Sequence, residues 1–242
     1  MQTLKEYVET LSHSSDKRIQ KFRFQERNYW LKQLEKRQGK LWFIKTRSAA
    51  DSLKREIKAL LTLQGKDIPV SPVVLYSATY MVLEDTGEPL NQYLLQETLS
   101  DKERLFVLTQ AAQALAHLHT QGLCHGRPAL RDITWDGEKI HFIDLENFPH
   151  KKITHKQCMY DLLIFIHALY RGRVSTLLSN TLIEKVILAY RQAGGEAIWQ
   201  SARNLCRRHR WLYSLLWFAR HRGGPNNDLR PIRKVFELFY KY

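Results

Sequence analysis

The 242-residue sequence predicts an α+β protein in two parts: a small antiparallel sheet with one helix over residues 1–85, then a mainly helical half over 86–242. Three observations carry that prediction. Between Lys21 and Leu83 apolar residues cluster in short, strand-like runs separated by turn formers. From Leu90 onward they recur at helical spacing behind capping residues such as Ser100. At the centre, His125 to Glu146 reads as a loop, a short strand, a tight turn and a second strand, with acidic residues at its ends.

The elements follow in chain order. Met1 to Leu11 mixes acidic and basic residues and is not a secretory signal. Residues 28–34 and 41–45 flank a turn around Gln38-Gly39 and form a hairpin, with Lys45 ending its second strand and Lys32 on its first. Ser48 or Asp51 caps the next helix, whose apolar face is Leu53, Ile57, Leu60, Leu61 and Leu63 and which carries Glu56. Pro69 and Pro72 break the chain before strands at 73–76 and 80–83, and Glu84 to Gly87 turns out of the sheet. Leu90 to Leu99 is a short helix. Ser100-Asp101-Lys102-Glu103 is a capping box that opens a long amphipathic helix ending at Gly122.

The central stretch holds the chemistry. Asp136-Gly137 suits a type I′ turn, which needs positive φ at both central residues. Asp132 stands at the mouth of the first strand and Asp144 at the exit of the second. Antiparallel neighbours joined by a tight turn place those ends side by side. Two converging carboxylates repel unless a cation lies between them, and hard oxygen donors suit Mg²⁺. This is the outline of a metal–phosphate site. Beyond Glu146 only a short basic segment precedes a buried helix starting near Met159, with Asp161 in its first turns.

Composition narrows the class of partner. The formal net charge of +14 and a pI near 9.7 favour anionic partners. Cys124, Cys158 and Cys206 are too widely spaced for a metal motif or a disulfide framework, as in a reducing compartment. The longest apolar runs, 162–169 and 212–219, are too short to span a bilayer, so the expected location is cytoplasmic or peripheral to a membrane. The last stretch interleaves Arg203, Arg207, Arg208, Arg210, Arg220 and Arg222 with Trp199, Trp211, Tyr213, Trp217 and Phe218. Such a pattern fits an anionic bilayer surface equally with a packed core bearing a solvated basic face. No nucleic-acid module is recognisable, and no nucleic-acid partner is expected.

The central stretch resembles the catalytic loop and metal-binding turn of protein-kinase-like phosphotransferases, H-x-D-x-x-x-x-N followed by a hairpin and D-x-E. His125 matches the first position, Asp132 the Asn position, and Asp144-Leu145-Glu146 the D-x-E triplet. Within that superfamily, His-Gly-Arg-Pro-Ala-Leu-Arg-Asp-Ile with a following Trp-Asp-Gly is similar to the bacterial lipopolysaccharide (Kdo/heptose) kinases. The resemblance implies a two-lobed protein-kinase-like fold, ATP and Mg²⁺ as cofactors, and phosphate transfer to a sugar hydroxyl of a lipopolysaccharide core or related glycolipid at the anionic inner membrane. It implies that Lys45, with Lys32 as rival, pairs with Glu56 to hold phosphate. By the same resemblance Leu83, Glu84 and Asp85 meet the adenine, Asp144, Asp132 and Glu146 bind metal, and His125 fixes the loop. Asp161 matches the aspartate that props that loop from beneath. Two departures stand out: Arg127 occupies the catalytic Asp position, and no glycine-rich loop precedes Lys32. Both support the alternative, a pseudokinase that binds nucleotide or a partner without catalysis.

Overall fold

The structure, a computed structural model, describes residues 2–34, 42–66, 68–149, 153–212 and 229–241, without the side chains of 42–48, 146 and 241. It divides into two compact units: residues 1–87 with 143–148, and residues 88–142 with 149–242. The sequence-based division at 85/86 had left 143–148 in the second part. This segment belongs to the first unit because its turn Leu145–Asn147 packs on a helix there and Asp144 pairs with a lysine there.

The first unit opens with helix α1 (Leu4–Ser14), started by a capping box in which Thr3 Oγ1 accepts from the Glu6 amide and the Glu6 carboxylate accepts from the Thr3 amide. Strands β1 (Ile19–Phe24), β2 (Arg27–Gln33), β3 (Val73–Tyr76) and β4 (Tyr80–Glu84) form an antiparallel sheet in the order β1-β2-β4-β3. Successive strand residues face opposite sides. Tyr29 and Leu31 therefore join Val8 of α1, Phe22, Tyr80 and Val82 in one apolar cluster, while Lys32 points to the other face.

That other face is covered by helix α2 (Trp42–Gln64), which presents Leu53, Glu56, Ile57, Leu60 and Leu63 as its buried stripe. The strand expected at 41–45 is thus helical from Trp42, and Lys45 lies inside α2. The aromatic and branched residues there suit a strand in isolation. They are continuous with a long run of helix formers, and extending a helix costs little once it is nucleated. The turn expected at Gln38-Gly39 lies outside the described residues; the first hairpin is instead β1–β2, turning at Gln25 and Glu26 with φ of 46° and 69°.

The second unit holds a small sheet, β5 (Glu88–Pro89), β6 (Ile133–Trp135) and β7 (Ile140–Phe142), in that order. Around it are the short α3 (Leu90–Tyr93) and the longer α4 (Asp101–Thr120), α5 (His155–Leu169), α6 (Asn180–Tyr190), α7 (Glu196–Arg208) and α8 (Leu229–Lys241). The helix expected over 90–99 stops at Tyr93. Arg104, buried on α4, donates to the carbonyls of Leu94, Gln96 and Leu99 and so holds that connection in a non-helical path. Trp199 of α7 and Phe239 of α8 pack ring on ring at 4.3 Å in the core. The β6–β7 turn differs from the expected type: only Gly137, the first central residue, has positive φ (106°), as in a type II′ turn. Asp136 precedes it and accepts from the amides of Glu138 and Lys139.

Candidate functional site

In the first unit, period-two alternation along β2 and the helical stripe of α2 bring one lysine and one glutamate together. Lys32 Nζ lies 2.5 Å from Glu56 Oε2 and 3.3 Å from Asp144 Oδ1. Glu56 is 2% exposed and sits where an apolar residue would fit the stripe. A buried carboxylate there is tolerable only with a cationic partner, because its desolvation is otherwise uncompensated. Lys32 meets Glu56; Lys45 lies in α2, with its side chain outside the described residues.

Asp144 adopts the left-handed conformation, φ 59° and ψ 52°, which Asp tolerates better than most residues. Its side chain is 27% exposed, leaving it open to solvent on part of its surface. Its carboxylate is the hard oxygen donor that Mg²⁺ selects, and here two carboxylates share one lysine, so donor type and charge both fit a divalent cation. Glu146, the expected third ligand, has its side chain outside the described residues. Among the described residues no group of three or more His, Cys, Asp or Glu side chains is disposed to hold a metal by itself. Mg²⁺ bound through one or two carboxylates and a nucleotide's phosphates does not need such a cage.

Of the residues expected to meet the adenine, Asp85 accepts from Trp30 Nε1 at 2.8 Å and pairs with Lys21 at 2.6 Å. The amides of Glu84 and Asp85 donate to the carbonyls of Pro72 and Asn28, and Leu83 is buried in the β4 ladder. Any base contact at Leu83 to Asp85 falls to their other backbone groups.

In the second unit the loop from His125 to Asp132 is held from below by Asp161, 1% exposed on α5. Its Oδ2 accepts from the His125 amide at 2.5 Å and its Oδ1 from the Gly126 amide at 3.0 Å. Gly126 has φ of 97°, which a residue with a Cβ adopts only under strain. His119 and Tyr190 extend the support: Tyr190 Oη meets His119 Nδ1 at 2.7 Å, and His119 Nε2 lies 3.4 Å from Asp161. Burial, chiefly, pushes the Tyr190 hydroxyl pKa up, so the phenol stays protonated. No local sequence pattern marks the His119–Tyr190 contact, which spans 71 residues.

His125 is 1% exposed, and its Nδ1 accepts from the Arg127 amide at 3.3 Å. Its ring stands edge-on to Phe142. These contacts make it a buried brace of the loop. Arg127, at the position where the motif has Asp, turns its guanidinium to Asp132, Nε to Oδ2 at 3.4 Å. Arg131 approaches the other oxygen of Asp132 at 3.5 Å. Beneath the loop Cys124 and Cys158 are buried free thiols in contact; their mutual hydrogen bond, with burial, pushes the Cys124 pKa well above the ordinary thiol range.

No model of a known protein family matches the chain. Its sequence is 34% identical over 235 residues to an uncharacterized protein of Haemophilus influenzae, spanning 97% of this chain and 95% of the relative. Among solved structures, an aminoglycoside-3'-phosphotransferase of type VIII matches 98% of this chain and 98% of its own, with a TM-score of 0.54 and 12% identity. That likeness shows the protein-kinase-like fold. The bifunctional kinase-methyltransferase WbdD gives a TM-score of 0.48 at 16% identity over 93% of this chain, which spans 43% of WbdD's length.

Proposed function

We propose, for a chain that belongs to one family with the uncharacterized Haemophilus influenzae protein and has the protein-kinase-like fold, ATP-dependent phosphoryl transfer to a sugar hydroxyl of a lipopolysaccharide core or related glycolipid. The observation that carries this reading is Lys32, buried and shared between Glu56 and the left-handed Asp144. In phosphoryl transfer such a lysine, fixed by a helix glutamate, holds the α- and β-phosphates. Asp144 would hold Mg²⁺, which with ATP supplies a neutralised, transferable γ-phosphoryl group. Arg127 would stand at the transferred group's charge, and His125 and Asp161 would keep the loop in position. The transition state is loose, and catalysis rests on positioning and electrostatics, so lacking a carboxylate base does not by itself abolish transfer.

The brief stretch between Asp144 and Asp161 supports a small or lipid-linked acceptor, since it leaves no long segment for docking a peptide. Arg207, Arg208 and Arg210, exposed beside the exposed Trp211 at the end of α7, support peripheral contact with an anionic membrane. No helix among the described residues is long and apolar enough to cross one.

The test is transfer of labelled γ-phosphate from ATP to extracted glycolipid by the parent and by Asp144→Ala. Loss of about a hundredfold or more is expected for the variant; undiminished transfer overturns the assignment. The second reading, a pseudokinase, is favoured by the Arg127–Asp132 contact inside the catalytic loop. It predicts a thermal shift with ATP and Mg²⁺ but no turnover.

A further inference from the structure

We infer that Arg127 takes the place of a second metal ion: its guanidinium is the built-in counter-cation of Asp132, so the chain binds nucleotide with one divalent cation rather than two. This inference rests on the phosphotransferase reading and deepens it.

Asp132 occupies the motif position that would offer the second metal ligand. It is 4% exposed, at the end of a short turn in which its own amide donates to Ala129 and the Ala129 amide donates to Arg127. That turn returns the chain on itself, so residues 127 and 132 meet although five positions apart. The Asp132 carboxylate faces two guanidinium groups, Arg127 Nε at 3.4 Å from Oδ2 and Arg131 Nε at 3.5 Å from Oδ1. The two arginines are not equivalent. Arg131 is 60% exposed at its side chain and is screened by water, whereas Arg127 is 34% exposed beside a carboxylate with only 6%. The Arg127–Asp132 contact is a Coulombic attraction and not a hydrogen bond, strengthened where water is partly excluded, and Arg keeps its charge at every accessible pH.

A divalent ion at Asp132 would have to displace Arg127 from the carboxylate. Each oxygen of Asp132 has an arginine as a near neighbour, whereas Asp144 and Glu56 both meet Lys32. The guanidinium against its Oδ2 opposes a further cation at Asp132, while Asp144 keeps a hard oxygen-donor carboxylate partly open to solvent. Arg127 thus has two linked effects: it removes the motif's base and supplies the positive charge that a second ion would bring.

The experiment counts metal ions without requiring turnover. Mn²⁺ is titrated into the protein with a non-hydrolysable ATP analogue, and free aquo-Mn²⁺ is read by electron paramagnetic resonance. The parent is expected to bind one Mn²⁺ per nucleotide complex. Arg127→Ala is expected to gain a second, its affinity at least about tenfold above any second binding in the parent. Arg127→Lys, which keeps the charge, is expected to stay at one, and adding Asp132→Asn to Arg127→Ala is expected to return the count to one. Arg127→Gln serves where the alanine variant does not fold, checked by circular dichroism melting. Two ions in the parent, or one ion in both neutral variants, overturns the inference while leaving nucleotide binding intact. Absence of any nucleotide-dependent Mn²⁺ binding overturns the phosphotransferase reading itself.

Discussion

Asp144 and Asp132 are the same residue type at the two ends of one hairpin sequence, and the fold gives them opposite surroundings. Asp144 shares Lys32 with Glu56, residues 112 and 88 positions away along the chain. Asp132 faces two arginines from its own loop, one and five positions away. The first cluster comes from three segments that only tertiary packing joins. The second is made by a local turn. A carboxylate's chemistry is thus set by which cations its neighbours bring, and a motif match does not report that.

The largest expected effect comes from breaking the first cluster. Lys32→Met removes the ammonium paired with the buried Glu56, and losing one partner of a buried pair costs about 3–5 kcal/mol. Urea denaturation should show that loss, together with a phosphate-transfer defect of about a hundredfold or more. The defect should exceed that of Lys45→Met; equal effects from the two lysines would undo the assignment of Lys32.

Next comes the support of the second cluster. Asp161→Ala removes the acceptor of the His125 and Gly126 amides and of His119. Charge-assisted bonds contribute about 1.5–3 kcal/mol each, so a loss of about 3 kcal/mol or more is expected by chemical denaturation. A loss below about 1 kcal/mol would mean the loop holds itself without Asp161.

The two hairpin turns sharpen the same contrast at smaller scale. In the β6–β7 turn the side chain of Asp136 does the bonding. Burial, the largest single influence, pulls its pKa up, but the amides of Lys139 and Glu138 and the ring of His141 together hold it below the ordinary carboxylate value. A group with depressed folded pKa stabilises above its unfolded pKa, about 3.9, and loses that contribution as pH falls through the folded value. The melting-temperature gap between the parent and Asp136→Asn should therefore be constant near neutral pH and narrow below about pH 4. A gap that widens on acidification would show the opposite sign.

The β1–β2 turn has no such help, with Gln25 and Glu26 both at positive φ. Each such residue costs roughly 1 kcal/mol, and Asn-Gly is the pair that adopts this conformation most readily. Replacing both, Gln25→Asn with Glu26→Gly, should raise stability by about 1–2 kcal/mol. No gain would indicate that the Arg23–Glu26 ion pair offsets the strain.

Much of this protein was legible from residues alone wherever the signal is local. The Ser100 capping box, the apolar stripe of α2, the strands at β2, β3 and β4 and the acidic ends of the central hairpin each depend on neighbours within one turn or one strand. Segment 41–45 was misread because branched and aromatic residues suit both strand and helix, and the choice was made by the helix that continues past them. Only the tertiary structure could bring Lys32 to Glu56, join Tyr190 to His119 and Asp161, or bring Asp144 back to the first unit. Those contacts span tens of residues, and the desolvation cost of burying polar groups requires that they find each other. A local pattern carries the preference of a residue for water or for the interior; it carries no record of the partner it meets there.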